Sequence, residues 1–390
     1  MRVIYILSPT HPFGGAARSF LNMVTLLRQT GVTAMVVMPD EGEICALLDE
    51  AGVDYRVLDY RFGVYPPVRS LKDLVLFVPR LIGRLWLNSR AARQVCAIAE
   101  QFKPDLIHTN VGVVTIGYLA SRRLHIPHVW HIREYGDQSY HFRFYPTNDA
   151  HRRALQQSYT ICISRDLALY NGLENNERSR VIYNGIVPAM VESKEKQAAK
   201  REDYFLFIGR IERGKGIREM IDAFVLSLTN MSTRHRLLLA GSVADAQYYR
   251  ELTQVIAQAK IGDLVEWLGE VSKPDAYVSK AKAVIVPSHY EGFGRVMPEA
   301  MYAGTPVIAY NNAGSKEQLD NGVRLTSGEI GLRYTTTNEL AGYMATIANT
   351  GLQAEEAMIE RARQTVCTLY TNEQNVQQVL AFYTDILNNK

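Results

Sequence analysis

Short apolar runs alternate with segments of helical length along the first half of the chain. Val3–Leu7 leads into a glycine loop and a helix expected from about Ala16 to Arg28. Ala34–Met38 follows, then a helix around Ile44–Ala51 and the run Tyr55–Leu58. Asp105–His108 and His128–His131 end in polar residues, and Tyr159–Ser164 and Val181–Tyr183 complete the set. Runs of this length between helices predict a parallel sheet covered on both faces. The pattern then lapses. Residues 188–203 are polar and charged with no face to bury, which is the composition of a linker. A second series opens at Tyr204–Ile208 and runs through Arg236–Ala240, Val265–Leu268, Ala283–Val286 and Pro306–Tyr310. The expectation is an α/β chain of two doubly wound, Rossmann-like domains, 1–187 and 204–370, joined by the linker 188–203. A C-terminal helix within 371–390 could pack on either domain, including back on the first. Ligands of such sheets gather at the carboxyl ends of the strands, so two facing sheets predict an interdomain cleft.

Composition adds little: 47% hydrophobic and 21% charged describes a globular protein rather than a disordered or fibrous one. The net charge of +3 is too small to argue for nucleic acid, and none is expected as a partner. Its distribution says more. Residues 1–190 carry 21 Lys/Arg against 16 Asp/Glu, and the remainder 22 against 24, so attraction to an anionic partner belongs to the first half. Cys45, Cys96, Cys162 and Cys367 show no metal-ligand spacing and read as the reduced thiols of a cytosolic protein. Val3–Leu7 is too short for a signal-peptide core, and no apolar stretch approaches the ~20 residues of a membrane span.

Three loops at expected strand ends carry candidate chemistry. Gly14-Gly15 opens a helix after the first strand, where small residues let backbone amides approach an anion. Asp40, after the second strand, invites a nicotinamide reading, but Gly-Gly-Ala-Ala-Arg-Ser lacks the later glycines of that fingerprint. The bland alternative is a tight turn. Gly209-Arg-Ile-Glu-Arg-Gly-Lys-Gly216 can bring Arg210 and Lys215 onto one anion, a planar fork beside a mobile point charge. A diphosphate is a natural target, a solvated basic loop the alternative, and Arg213 is expected to face solvent. In Ser288-His-Tyr-Glu-Gly-Phe-Gly-Arg-Val-Met-Pro-Glu299, Gly292 and Gly294 expose amides, and Pro298 suits the first turn of a helix ending at Gly304. Glu299 alone could be a first-turn acid. Glu291, two glycines and a proline with it need more, and carboxylates accept hydrogen bonds from the vicinal hydroxyls of sugars and ribose.

These residues together resemble glycosyltransferase family 4, a retaining family of the GT-B fold. Glu291 and Glu299 match its Glu-x7-Glu hallmark, Arg210 and Lys215 its diphosphate-binding pair, and Gly14-Gly15 its N-terminal glycine loop. The resemblance covers nearly the whole chain and is strongest over 204–310. It implies that Glu291 holds a donor-sugar hydroxyl and Glu299 the ribose, with the amides of Gly292, Phe293, Gly294 and Arg295 on sugar and phosphate. Backbone groups near Val271 would meet the nucleobase. His131 would lie near the transferred sugar as a catalytic residue, with His108, Ser164 and Asn184 lining the site. The implied activity moves a sugar, with retention, from a nucleoside diphosphate to a hydroxyl. A UDP-sugar is favoured over a GDP-sugar, and no metal or other cofactor is required, since no Asp-x-Asp occurs. The alternatives are an epimerase or hydrolase of the same fold, or an inactive nucleotide-sugar-binding protein. The chain departs from the family where a Gly-Gly segment is usual: Asn312-Ala-Gly-Ser-Lys-Glu317-Gln stands there. That departure is expected to leave the Glu-x7-Glu pair untouched.

The acceptor is read from other residues. Arg18, Arg133 and Glu134 are acceptor-side candidates. Residues 69–93 carry Arg69, Lys72, Arg80, Arg84, Arg90 and Arg93 against Asp73 alone, with Leu71, Leu74, Val75, Val78, Leu81, Ile82 and Leu85 at helical spacing. Cations flanking apolar bulk suit a helix pressed on anionic lipid, the alternative being a domain helix with a solvated basic face, and Pro79 is expected to break the segment. A glycan or lipid-linked acceptor fits, as does assembly of cell-surface polysaccharide or lipopolysaccharide by a cytoplasmic protein peripheral to the inner membrane face.

Overall fold

The computed structural model describes every residue except 9–13, 69, 141, 189–199, 351–355 and 390. Arg69 and most of the expected linker therefore lie outside the described residues. The chain forms two units, Met1–Gly185 with Asn372–Lys390, and Ile186–Thr371.

The first unit contains a seven-stranded sheet: β1 (Arg2–Ile6), β2 (Thr33–Met38), β3 (Asp54–Val57), β4 (Leu106–Thr109), β5 (His128–Ile132), β6 (Tyr159–Cys162) and β7 (Ser179–Val181), in the order β3-β2-β1-β4-β5-β6-β7. Every pairing is parallel. Successive side chains of a strand point to opposite faces, and β1 divides itself accordingly. Val3 and Tyr5 enter one core, Ile4 and Ile6 the other. The first core is closed by the helix Asn372–Asn388, through Val376, Val379, Phe382, Tyr383 and Ile386. The second is closed by the helix Phe77–Phe102, through Ala91, Ala92, Val95, Ala99 and Phe102.

The second unit has six parallel strands, β8 (Tyr204–Ile208), β9 (Arg236–Ala240), β10 (Val265–Gly269), β11 (Ala283–Val286), β12 (Val307–Tyr310) and β13 (Leu332–Tyr334), ordered β10-β9-β8-β11-β12-β13. Each sheet reverses its winding once, between β1 and β4 and between β8 and β11. Loops that leave neighbouring strands in opposite directions open a crevice there, and ligands of such sheets occupy it. β13 is the strand that the apolar pattern did not disclose. Three residues with a half-buried arginine, Arg333, at their centre are too few to show a period. The segment around Pro79 also differs from expectation. The chain bends at Leu76, between the helices Leu71–Val75 and Phe77–Phe102, and Pro79 sits in the first turn of the second. An amide there has no intrahelical acceptor to lose, so proline is accommodated. Among the described residues no helix is long and apolar enough to cross a membrane.

Because the last helix fills the core of the first unit, Phe382→Ala should destabilise that unit by about 3–5 kcal/mol. Urea unfolding followed through buried Trp130 measures it. An unchanged midpoint would show that the helix is dispensable to this core.

Candidate functional site

In the second unit, the winding reversal sets the loop after β8 beside the loop after β11. Lys215 Nζ, from the first, donates to Glu291 Oε1 of the second at 2.6 Å, and both side chains are about one-fifth exposed. Burial pushes the Glu291 carboxyl up. The charge and hydrogen bond of Lys215, the Ser288 hydroxyl and the charge of Arg210 outweigh it, and the pKa lies below the ordinary carboxylate value. Arg210 itself is exposed and donates to Glu212 Oε1 at 2.9 Å. Lys215 and Arg210 thus share the field of one carboxylate. Arg213 turns away to Glu251, at 2.7 Å.

The loop that carries Glu291 runs into the helix Val296–Tyr302, with Pro298 and Glu299 in its first turn. Glu299 accepts from Arg295, Nε at 3.2 Å and the guanidinium NH2 at 3.0 Å. Phe293 is buried, while Gly292 and Gly294 are half-buried on either side of it. Glu291 and Glu299 are therefore each held by a cation of the same segment or its neighbour. Val271 lies beyond the end of the edge strand β10, two strands from β8.

The segment Asn312–Gln318, whose departure from the family pattern is expected to leave the two glutamates unaffected, backs the loop that carries the first of them. Gly314 N donates to Glu291 O at 2.9 Å, and Asn312 Nδ2 to His289 O at 2.8 Å. Gln318 Nε2 donates to Phe293 O and, at 3.3 Å, to Gly294 O. A Cβ on Gly314 would lie 2.6 Å from Glu291 O. The reason is topological: β11 and β12 are neighbours, so the loop after one backs the loop after the other.

The first unit gathers a second set of polar groups near the carboxyl ends of β4 and β5. Arg133, buried, donates through Nε to Asn110 O at 3.0 Å and through its NH1 group to Asn184 Oδ1 at 2.7 Å. Its NH2 group lies 3.2 Å from His131 Nδ1, which is 3.3 Å from His108 Nε2; His108 Nδ1 meets the Tyr383 hydroxyl. Burial, the Arg133 charge and the neighbouring ring hold both histidines well below the ordinary imidazole value. Glu134 accepts from Gly112 N at 3.0 Å, and burial pushes its carboxyl up to about 7. Gly14 and Gly15 open the helix Gly15–Gln29, with Arg18 exposed in its first turn. Ser164 caps the helix Arg165–Tyr170. The sequence reading overlooked Asn110 and Tyr383. Asn110 follows His108 by two residues at a strand end and was within reach of that reading. Tyr383 sits among apolar residues in a helix more than 250 positions away, and no local pattern sets it apart.

The family model described as Glycosyl transferase 4-like domain matches residues 14–185, and the one described as Glycosyl transferases group 1 matches 190–365. An uncharacterized glycosyltransferase of Methanocaldococcus jannaschii is 26% identical over 241 residues, 58% of this chain and 61% of its own. The O-antigen chain mannosyltransferase of Salmonella typhimurium is 31% identical over 190 residues, 47% of this chain and 50% of its own. The chain spans about half the length of the curated relatives it matches. Crystal structures of Anabaena HepE, with UDP, with UDP and glucose and with UDP-glucose, superpose with a TM-score of 0.75 at 20% identity, covering 99% of this chain and 100% of that one. At this identity the likeness is one of fold, the GT-B class.

The depressed Glu291 carboxyl makes the Lys215 pair a pH-dependent contact. Its contribution to stability is complete above the ~4.3 of an unfolded glutamate and is lost as pH falls through the lower folded value. Unfolding free energies of the native protein and Glu291→Gln, followed from pH 7 to 3, should differ by a gap that closes at the acid end. A gap independent of pH would rule out an ionised pair.

Proposed function

The chain belongs to the group 1, family 4-like glycosyltransferases, and from that premise we propose that it moves a sugar from a nucleoside diphosphate to a hydroxyl, with retained configuration. The observation that carries the reading is the Lys215–Glu291 pair at the winding reversal of the second unit, where cation and carboxylate stand ready for the two ends of one donor. Arg210 and Lys215 take the diphosphate, Glu291 a sugar hydroxyl and Glu299 the ribose. In the reaction, the anomeric carbon–oxygen bond breaks and its electron pair goes to the diphosphate. The acceptor oxygen bonds the anomeric carbon and its proton passes to the departing phosphate oxygen. The two cations stabilise charge where it develops, so the reading requires no metal. A UDP-sugar is the favoured donor, since the Anabaena protein of like fold was crystallised with UDP and UDP-glucose. The O-antigen mannosyltransferase among the relatives supports a glycan or lipid-linked acceptor.

The acceptor side adds a membrane. Leu71, Leu74, Val75, Val78, Ile82 and Trp86 are exposed and, apart from the adjacent Leu74 and Val75, follow one another at three or four residues, a stripe that runs across the bend at Leu76. The C-terminal half of the helix Phe77–Phe102 is anchored in the core, through Ala91, Ala92, Val95, Ala99 and Phe102. Lys72, Arg80, Arg84, Arg90 and Arg93 accompany the stripe with Asp73 as the acid among them. An apolar stripe with a surplus of cations suits the interface of an anionic bilayer at the cytoplasmic face.

Incubation with a panel of nucleotide sugars, with and without membrane extract, tests the activity. Nucleotide release that depends on the acceptor supports it, and isomerisation or hydrolysis without an acceptor overturns it. Lys215→Ala should lower kcat by about 10²–10³-fold, Glu291→Ala should mainly reduce turnover, and Glu299→Ala should weaken nucleotide binding. Thermal shifts with UDP and GDP rank the bases. Co-sedimentation tests the membrane: the protein should pellet with anionic vesicles more than with neutral ones, less so at high salt. The double variant Ile82→Ser, Trp86→Ser should lose at least about tenfold in partitioning. Equal partitioning of the variant and the native protein would remove this surface from the account.

A further inference from the structure

Resting on the transferase reading, we infer that Arg133 fixes His131 with its proton on Nε2, and that His108 and Tyr383 are positioning residues that hold the ring from behind, so that it presents an N–H donor to an oxygen of the bound sugar. The hydrogen-bond directions follow from one group that can only donate. Arg133 has no acceptor atom, so its NH2 group, 3.2 Å from His131 Nδ1, makes that nitrogen an acceptor. A neutral imidazole with Nδ1 as acceptor carries its proton on Nε2. His108 Nε2 stands 3.3 Å from the same Nδ1. Two acceptors facing one another would repel, so His108 Nε2 donates as well, and His108 Nδ1 is left as an acceptor. The Tyr383 hydroxyl, its neighbour, therefore donates to it. Read from the last helix inwards, each proton has one place: Tyr383 to His108, His108 to His131, and His131 Nε2–H outwards.

The end of this chain of bonds is what points to a ligand. His131 is fully buried, and its Nε2 has no partner among the described residues. A buried N–H without an acceptor carries a desolvation cost that a well-packed strand has no reason to keep. An oxygen of a bound ligand would remove it. A protonated imidazole is disfavoured there, because its second N–H would face the Arg133 guanidinium. Tyr383 gives this arrangement its anchor. It lies in the helix Asn372–Asn388, fully buried against the same core that β1 and β4 enter. Its ring stands edge-on to His108, with centroids 5.8 Å apart.

The full chain labelled with 15N-histidine tests this without reference to turnover. Long-range proton–nitrogen spectra should show His131 with a protonated Nε2 and a bare Nδ1, and Tyr383→Phe, which removes the donor facing His108 Nδ1, should add a population of His108 protonated on Nδ1. In donor turnover, Tyr383→Phe should lower kcat about three- to tenfold, the worth of one neutral hydrogen bond, while KM for the nucleotide sugar stays within about twofold. His131→Gln, whose amide N–H falls where Nε2 stood, should retain more activity than His131→Asn, whose amide falls where Nδ1 stood. A native His131 protonated on Nδ1 would overturn the inference, as would a Tyr383→Phe protein with unchanged spectrum and kcat. If the native protein transfers no sugar at all, the transferase reading falls, and the spectra still decide the tautomer.

Discussion

A carboxylate and an ammonium four-fifths withdrawn from water must hold one another, and in the second unit the arrangement of the site depends on that contact between Lys215 and Glu291. Withdrawing such a pair costs in desolvation about what the attraction gives back, so stability alone is a weak reason to keep it. The contact also demands that two loops meet. The loop after β8 can approach the loop after β11 because the strands are neighbours and because Gly216 lies between them. Its φ of +64° is one that side-chain-bearing residues rarely adopt, and a Cβ there would stand 2.0 Å from Pro287 O. The pair, the glycine and the strand order are three expressions of one constraint.

The first unit solves the opposite problem. There a buried cation, Arg133, is surrounded by neutral acceptors: the carbonyl and side chain of Asn110, the side chain of Asn184 and the bare nitrogen of His131. Burial, with the Arg133 charge second to it, sets the state of the histidines nearby. Both histidines stay neutral, and burial raises the Glu134 carboxyl to about 7 against the lowering effect of backbone amides and the guanidinium. The buried cation of the first unit is thus met by neutral acceptors, whereas the second unit meets its cation with a carboxylate.

Much of this was legible in the chain. Buried parallel strands are written as continuous apolar runs, and twelve of the thirteen could be located from Val3 to Tyr310 by that rule. The Glu291–Glu299 segment was legible for a different reason. Glycines, a proline and acids at fixed offsets have few joint explanations. What stayed hidden depends on tertiary neighbours. That Lys215 closes on Glu291, that Gly314 backs that loop, and that Tyr383 reaches His108 are consequences of which strands and helices lie side by side. β13 stayed hidden because three residues, two of them half-covered, carry no period.

The departure at Asn312–Gln318 shows how a chain can drift from a family pattern and keep its site. Ala313-Gly314 stands where the resemblance expects two glycines. Ala313 has a φ of +49°, in the left-handed region, which costs a side-chain-bearing residue about 1–2 kcal/mol. Nothing else about that position forbids a methyl group, and the bonds from Asn312 and Gln318 on either side hold the turn in place. Gly314 is different: its amide bonds Glu291 O, and an added Cβ would strike that same oxygen and Gly292 O, at 2.6 and 2.8 Å. Strain that the surroundings can bear is accepted at the first position. A collision with the backbone that carries Glu291 is avoided at the second. The glycine that survives is the one on which the loop carrying Glu291 rests.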